Sequence, residues 1–354
     1  MSHCIWLQIF LNYIISFLSN DIDKVSFRKY LLGLIWQDKY FSVRGISKNT
    51  QEKSMWQLYD FLESKIHWKN LFYQLAKLVL PIFKALNFYL TADGTPLKQQ
   101  YAKNRITKRG FISIIGMKNI PQNEMISIGL TNGKIYIPLD FCIWVSSKVS
   151  NPRDYKKKTE MFLNLMKKYL LMQIPVKRIM FDSYFASKKI IKWLNKNGFI
   201  WNTRIKKNRI VYVEGNKSQL QKTGLNYDES LICKLNDIKG QVKILRFCHQ
   251  DEEYYICSNN INLTKEELKA EYLKRWQVEV FHREAKQKLG LENLMMQKWN
   301  NLTNHVGFVC LAYSLMTVLK QLSGGSVGDV KFKIADEILG ISSAIDILDR
   351  KLCA

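Results

Sequence analysis

The sequence has no C-x-x-C pair, no internal repeat, no low-complexity tract and comparatively few acidic residues. Its seven cysteines (Cys4, Cys142, Cys233, Cys248, Cys257, Cys310 and Cys353) are odd in number and scattered. That excludes a disulfide framework and fits free thiols in a reducing cytosol. Cys248, His249 and Cys257 lack the spacing of a zinc site. The apolar runs Ile5–Leu18 and Val306–Leu319 are 14 residues each, against the ~20 of a bilayer-spanning helix. The first contains Gln8 and Asn12 and has neither a basic n-region before it nor a small-residue cleavage site after it. Both runs read as buried packing helices.

What the chain has instead is positive charge. Lys and Arg number 54 against 30 Asp and Glu, a net +24. Such an excess favours a polyanionic partner, nucleic acid before an anionic membrane surface. Two basic tracts are interleaved with aromatics. One holds Lys98, Lys103, Arg105, Lys108 and Arg109 around Tyr101; the other holds Arg204, Lys206, Lys207 and Arg209 just after Trp201. Cations so placed cradle phosphates while rings stack on exposed bases, although each tract alone also suits a solvated loop. An apolar fraction of 47% with 12% aromatics marks a folded chain, and 354 residues allow two or three domains.

Residues 1–85 carry helical periodicity, clearest at Phe27–Trp36, Ser54–Ile66 and Trp68–Leu80, the last stopping before Pro81. From 86 the pattern turns to strands at Phe111–Met117, Glu124–Leu130 and Lys134–Val145, with turns at Pro121 and Asn132-Gly133. A helix over 157–172 leads to a strand ending at Asp182, and a helix over 186–195 follows. Residues 199–260 are β-rich, with strands at Gln241–Cys248 and Tyr254–Ser258, while Val211–Asp237 reads as polar loop. Strands alternating with helices predict an α/β layered domain.

The most informative segment is Glu271–Lys286. Tyr272, Arg275, Glu279 and Lys286 follow the spacing Y-x2-R-x3-E-x6-K. On one continuous helix they share an exposed stripe about 21 Å long. Leu273, Val278, Val280, Phe281 and Ala285 form the buried face behind it. Thr264 and Glu267 make a capping box at the start, and Gly290 ends the helix. A carboxylate flanked by cations and a tyrosine suits a site for metal ions and phosphates; a solvated helix face is the plain alternative. Two aspartates upstream end apolar runs: Asp93, where Gly94 breaks the strand, and Asp182. Such aspartates are usually turn formers or caps, and Asp140 and Asp154 are of that kind. The spacing is 89 residues from Asp93 to Asp182 and 97 from Asp182 to Glu279.

Three carboxylates in this order, the third inside Tyr272-x2-Arg275-Trp276-x2-Glu279-x-Phe281-His282-Arg283-x2-Lys286, resemble the DDE transposases of bacterial insertion sequences. The resemblance is to the cut-and-paste, insertion-sequence-four-type group with a Y-R-E-K signature, and it covers residues 86–300. It implies an α/β, ribonuclease-H-like catalytic domain over 86–320. Within it a β-rich insertion at 199–260 lies between the second Asp and the Glu. An α-helical DNA-binding domain over 1–85 precedes it and a tail over 321–354 follows.

The resemblance also implies that Asp93, Asp182 and Glu279 hold two Mg²⁺ ions, for which Mn²⁺ can substitute. Two-metal phosphoryl transfer there would cleave the element's ends, through a hairpin intermediate, and join them to target DNA. Tyr272, Arg275 and Lys286 would grip phosphates of the terminal nucleotides. Replacing Arg275 or Lys286 is therefore expected to cut cleavage while leaving Mg²⁺ affinity nearly unchanged. The expected partners are double-stranded DNA, as terminal inverted repeats and as target, and a second copy in a synaptic homodimer, with no membrane. The expected setting is the bacterial cytoplasm, at the nucleoid. A metal-dependent endonuclease of the same fold and an inactive DNA-binding remnant are the alternatives.

Overall fold

The computed structural model describes residues 3–37, 41–50, 54–83, 88–98, 108–112, 117–145, 155–293 and 298–334. Residues 99–107, which hold Tyr101, Lys103 and Arg105 of the first basic tract, residues 113–116 of the expected strand at 111–117, Asp154, and the last twenty residues of the tail lie outside these.

The chain begins with α1 (His3–Ile15), α2 (Lys24–Trp36), α3 (Val43–Thr50), α4 (Met55–Phe61) and α5 (Trp68–Ile82). Short polar side chains set their starts by accepting the first free amides. Asp23 Oδ1 accepts from the Val25 and Ser26 amides at 3.0 and 3.2 Å, and Ser54 and Gln57 form a reciprocal capping box. α5 passes through Pro81 and ends at Ile82. In the final turn a proline forfeits a single amide bond, and the Phe83 amide closes the end on the Val79 carbonyl at 3.3 Å.

The sheet follows: β1 (Tyr89–Lys98), β2 (Lys108–Ile112), β3 (Met117–Thr131), β4 (Tyr136–Trp144), then α6 (Lys158–Leu170), β5 (Ile179–Phe181), α7 (Lys188–Lys196) and β6 (Trp201–Arg204). β3 runs antiparallel to both β1 and β4, and β1, β5 and β6 are mutually parallel. The order β4-β3-β1-β5-β6 is a ribonuclease-H-like arrangement. Asn132 and Gly133 (φ +93°) make the β3–β4 turn, with Asn132 Oδ1 accepting from the Lys134 amide at 2.9 Å. Pro121 makes no turn; it lies within β3 opposite Arg109.

Beyond β6 the sheet continues through β7 (Ile210–Val213), β8 (Asn216–Gln219), β9 (Glu229–Leu235), β10 (Val242–His249) and β11 (Glu252–Ser258), in the order β6-β11-β10-β9-β7-β8. The stretch 211–237 is therefore stranded where a polar loop was expected. Glu214 and Gly215, both at positive φ, close the β7–β8 hairpin, and Gln250 and Asp251 do the same for β10–β11, as two-residue loops with left-handed residues do.

The last elements are α8 (Lys265–Leu273), α9 (Trp276–Lys288) and α10 (Trp299–Ser323). α10 is long and apolar enough to cross a bilayer, yet almost all of it is buried, as an all-round apolar core helix is. One continuous core unites it with α1, α2, α5 and β4. Phe308 packs among Phe27, Tyr30 and Trp68 at 4.8, 4.8 and 4.9 Å between ring centroids. Gly307 permits this, since a Cβ there would lie 2.2 Å from the Trp68 ring. Buried His305 joins three elements: Nδ1 meets the Tyr30 hydroxyl and Nε2 the Gly290 carbonyl, both at 3.0 Å. Burial pushes its pKa down to about 4. The neutral ring therefore donates from Nε2, because a carbonyl can only accept, and accepts the tyrosine proton at Nδ1.

Candidate active site

Strand register brings the two aspartates together. β1 pairs with β5 through Leu90–Ile179, Thr91–Met180 and Ala92–Phe181. The next residue on each chain is an aspartate, so Asp93 and Asp182 occupy neighbouring positions where the parallel pairing stops. Adjacent strands lie about 4.8 Å apart. Gly94 does not break the strand, because β1 continues along β3 to Lys98; β5 is what ends. Asp182 caps the short 3-10 turn Ser183–Phe185, its Oδ2 accepting from the Tyr184 amide at 3.4 Å. Asp93 Oδ1 accepts from the Gly94 amide at 2.8 Å.

Glu279 comes from the first turn of α9. The expected single helix is in fact two, parted by a turn at Lys274 and Arg275. Tyr272 lies in the last turn of α8, Arg275 sits in the break, and Glu279 and Lys286 lie on α9, so the four do not share one unbroken helix. Arg275 is buried and bridges the site: Nη1 meets Asp93 Oδ2 at 3.0 Å and Nη2 bonds Glu279 Oε1. Burial works against its charge, but Tyr272, Asp93, Glu279 and Asp182 outweigh it and keep the guanidinium firmly protonated. Burial also lifts the Asp93 carboxyl to about 6; Arg275 opposes the rise, and Asp182 and Glu279 add to it. The three carboxylates thus share one field.

The family described as "Archaeal putative transposase ISC1217", a DDE transposase family, matches residues 104–327. The chain belongs to that family. The match spans Asp182 and Glu279, and Asp93 precedes it. Among solved structures, the cryo-EM piggyBac transposase synaptic complex with hairpin DNA is similar in fold, with a TM-score of 0.55 at 10% identity, covering 100% of this chain and 82% of that one. The Marinitoga piezophila Argonaute with 5′ OH guide RNA aligns over 61% of this chain and 31% of its own, at 15% identity and a TM-score of 0.23, which carries no argument. No curated protein matches the sequence.

Of the other two motif residues of this transposase, Tyr272 is buried and Lys286 is paired. Tyr272 is 2% exposed, and its hydroxyl has no hydrogen-bond partner among the described residues. Burial raises its pKa. Lys286 pairs with Glu292 at 2.9 Å, and Glu292 Oε1 also accepts from the Lys98 amide at 3.4 Å. Burial lowers the Lys286 pKa despite that partner.

Two buried polar groups beside the site have partners that the sequence pattern does not assign. Glu271, in the last turn of α8, bonds Arg178 and accepts from Tyr89 Oη and Asn202 Nδ2, both at 3.2 Å. It thereby ties α8 to the starts of β1, β5 and β6. On α9, His282 Nε2 meets Ser127 Oγ at 3.1 Å, and Ser127 is the β3 partner of Asp93. Burial, then Lys286 and Arg275, push the His282 pKa down to about 3, so it serves as a neutral strut.

Asp93, Asp182 and Glu279 offer only carboxylate oxygens, a donor set suited to hard divalent ions such as Mg²⁺. With Arg275 the four groups carry a formal charge of −2 when all are ionised. In the arrangement described, Arg275 holds two of the carboxylates. No three Asp, Glu, His or Cys groups converge as a metal cluster among the described residues. The residues fit the ion by the chemistry of their donor set.

Proposed function

We propose that this transposase cuts the ends of a mobile DNA element and joins them to target DNA, with Asp93, Asp182 and Glu279 as the acidic centre. The observation that carries this reading is the register that sets Asp93 beside Asp182 while Arg275 ties Asp93 to Glu279. Divalent ions bound there would activate water or a 3′-hydroxyl and stabilise the leaving oxygen of an in-line displacement. The protein's part is positional. β1 and β5 fix two carboxylates, α9 brings the third, and Glu271 and His282 hold the helix pair against the sheet. Arg275, which bonds Asp93 and Glu279, and Lys286, on the same helix as Glu279, would take phosphates of the terminal nucleotides.

The substrate on this reading is double-stranded DNA, as element ends and as target, with Mg²⁺ as the physiological ion and a homodimer pairing the two ends. The Y-R-E-K spacing supports kinship with the insertion-sequence-four type, and the enzyme would work on DNA in the cytoplasm. The decisive experiment incubates the protein and Mg²⁺ with a pre-cut element end bearing a free 3′-hydroxyl and a supercoiled plasmid. Joined product is expected. Cleavage of uncut ends without any joining would favour a structure-specific endonuclease, and neither product would indicate an inactive remnant.

A further inference from the structure

Arg275 lies where two functions meet. Its guanidinium is 9% exposed and spans carboxylates from different elements, Asp93 on β1 and Glu279 on α9. Its Nε has no partner among the described residues. A divalent ion would need the same carboxylate oxygens, so ion and guanidinium compete for them. Arginine cannot escape by losing its proton. It can leave Asp93 and Glu279 only for another anion, and a phosphate accepts the same forked pair of hydrogen bonds.

The backbone around it is pinned on both sides. Glu271 anchors the end of α8 through Arg178, Tyr89 and Asn202, and His282 anchors α9 through Ser127. Arg275 itself stands in the turn between the helices. Its side chain can therefore re-aim without either helix shifting.

We propose that Arg275 is an internal counter-ion that occupies the acidic centre of the DNA-free protein and hands it over when a DNA phosphate captures the guanidinium. This rests on the function proposed above. Its consequence is that binding of a DNA end and of divalent ions is mutually reinforcing, by the same factor in each direction. On this proposal Arg275 acts on the ions as well as on phosphate, because its removal takes a positive charge off two ligands.

The test is Mn²⁺ binding, followed by the electron paramagnetic resonance of free Mn²⁺, with and without a duplex carrying the element end. Binding is scored above that of Glu279→Gln in the same DNA, which subtracts ions held by the duplex. In the wild type, DNA should tighten Mn²⁺ binding by about tenfold, within the usual range of coupling between sites. Arg275→Gln should bind Mn²⁺ more tightly than wild type without DNA, and DNA should add little. Arg275→Lys, which keeps the charge and loses the fork, should fall between them and serves if the glutamine variant does not fold. Equal Mn²⁺ affinity in wild type with and without DNA, or no tightening in either variant, overturns the proposal while leaving the acidic centre intact. If wild type and Glu279→Gln bind Mn²⁺ alike in DNA, the acidic centre itself is wrong.

Discussion

Ala92 and Phe181 face each other across a parallel strand pair, and each is followed by an aspartate. Two residues 89 apart in sequence thus become neighbours through backbone hydrogen bonds alone. No side chain need be specified beyond apolar filling on both strands, and the aspartates are delivered where pairing ends.

Neutralising either aspartate, or Glu279, should therefore remove chemistry without removing DNA. Asp93→Asn, Asp182→Asn and Glu279→Gln are each expected to lower end cleavage by more than about a hundredfold, since even outer-shell partners of metal sites cost 10–100-fold. Duplex affinity in a gel shift should hold, because the grip comes from distributed cations. A variant that still cleaves removes that residue from the centre.

The raised Asp93 pKa makes a statement about stability. Between its ordinary 3.8 and about 6, the unfolded chain has released this proton and the folded protein still holds it. The stabilising contribution is therefore complete below pH 3.8 and falls as pH rises to 6. Asp93→Asn should match wild type near pH 4 and exceed it above pH 6, by up to about 3 kcal/mol at 1.36 kcal/mol per pH unit. Urea unfolding in EDTA across pH 4–7.5 measures the gap; a gap that stays constant would contradict the buried, proton-retaining carboxyl.

Lys286 and Lys274 should separate cleanly. Lys286 touches Glu292 and none of the three site carboxylates, so Lys286→Ala should leave divalent-ion affinity unchanged. It should lower cleavage roughly tenfold to a hundredfold, the value of a charge-assisted phosphate contact. Lys274 lies over the Tyr89 ring at 4.7 Å, and its loss should matter far less. Equal cleavage defects would make the charges of this segment a solvated face.

Glu271 is the structural counterpart. Its loss leaves Arg178, 7% exposed, without its main partner, and breaking such a buried pair typically costs about 3–5 kcal/mol. Glu271→Ala should show a fall of that order in chemical denaturation. A loss below about 1 kcal/mol would mean that the half-exposed Lys177 or water takes over.

The parts of this fold readable in advance were those with a local signature. Asn132-Gly133 announced a hairpin, Thr264 and Glu267 announced a helix start, and the apolar runs before Asp93 and Asp182 announced strands. The α8–α9 break was hidden because Lys274 and Arg275 keep near-helical angles, so the apolar period continues through it. Glu271 and Arg178 are 93 residues apart, and a charged pair that meets only through tertiary folding looks like two surface residues. β8 went unread for another reason: its residues, Asn216–Gln219, alternate nothing apolar, and only the left-handed Glu214-Gly215 turn makes it a strand.

The burial of α10 has a consequence for how the protein is made. Its packing partners α1, α2 and α5 leave the ribosome long before it does, so the helix emerges to find its bed already synthesised. A chain begun after residue 84 would keep only β4 and α9 against the same 25 residues, and an uncovered apolar helix of that length is what membrane insertion selects. The early helices thus cover the one described helix that is apolar enough to be read as a membrane span. Fractionation of such a truncated chain into the membrane pellet, with the full chain in the supernatant, is the expected signature.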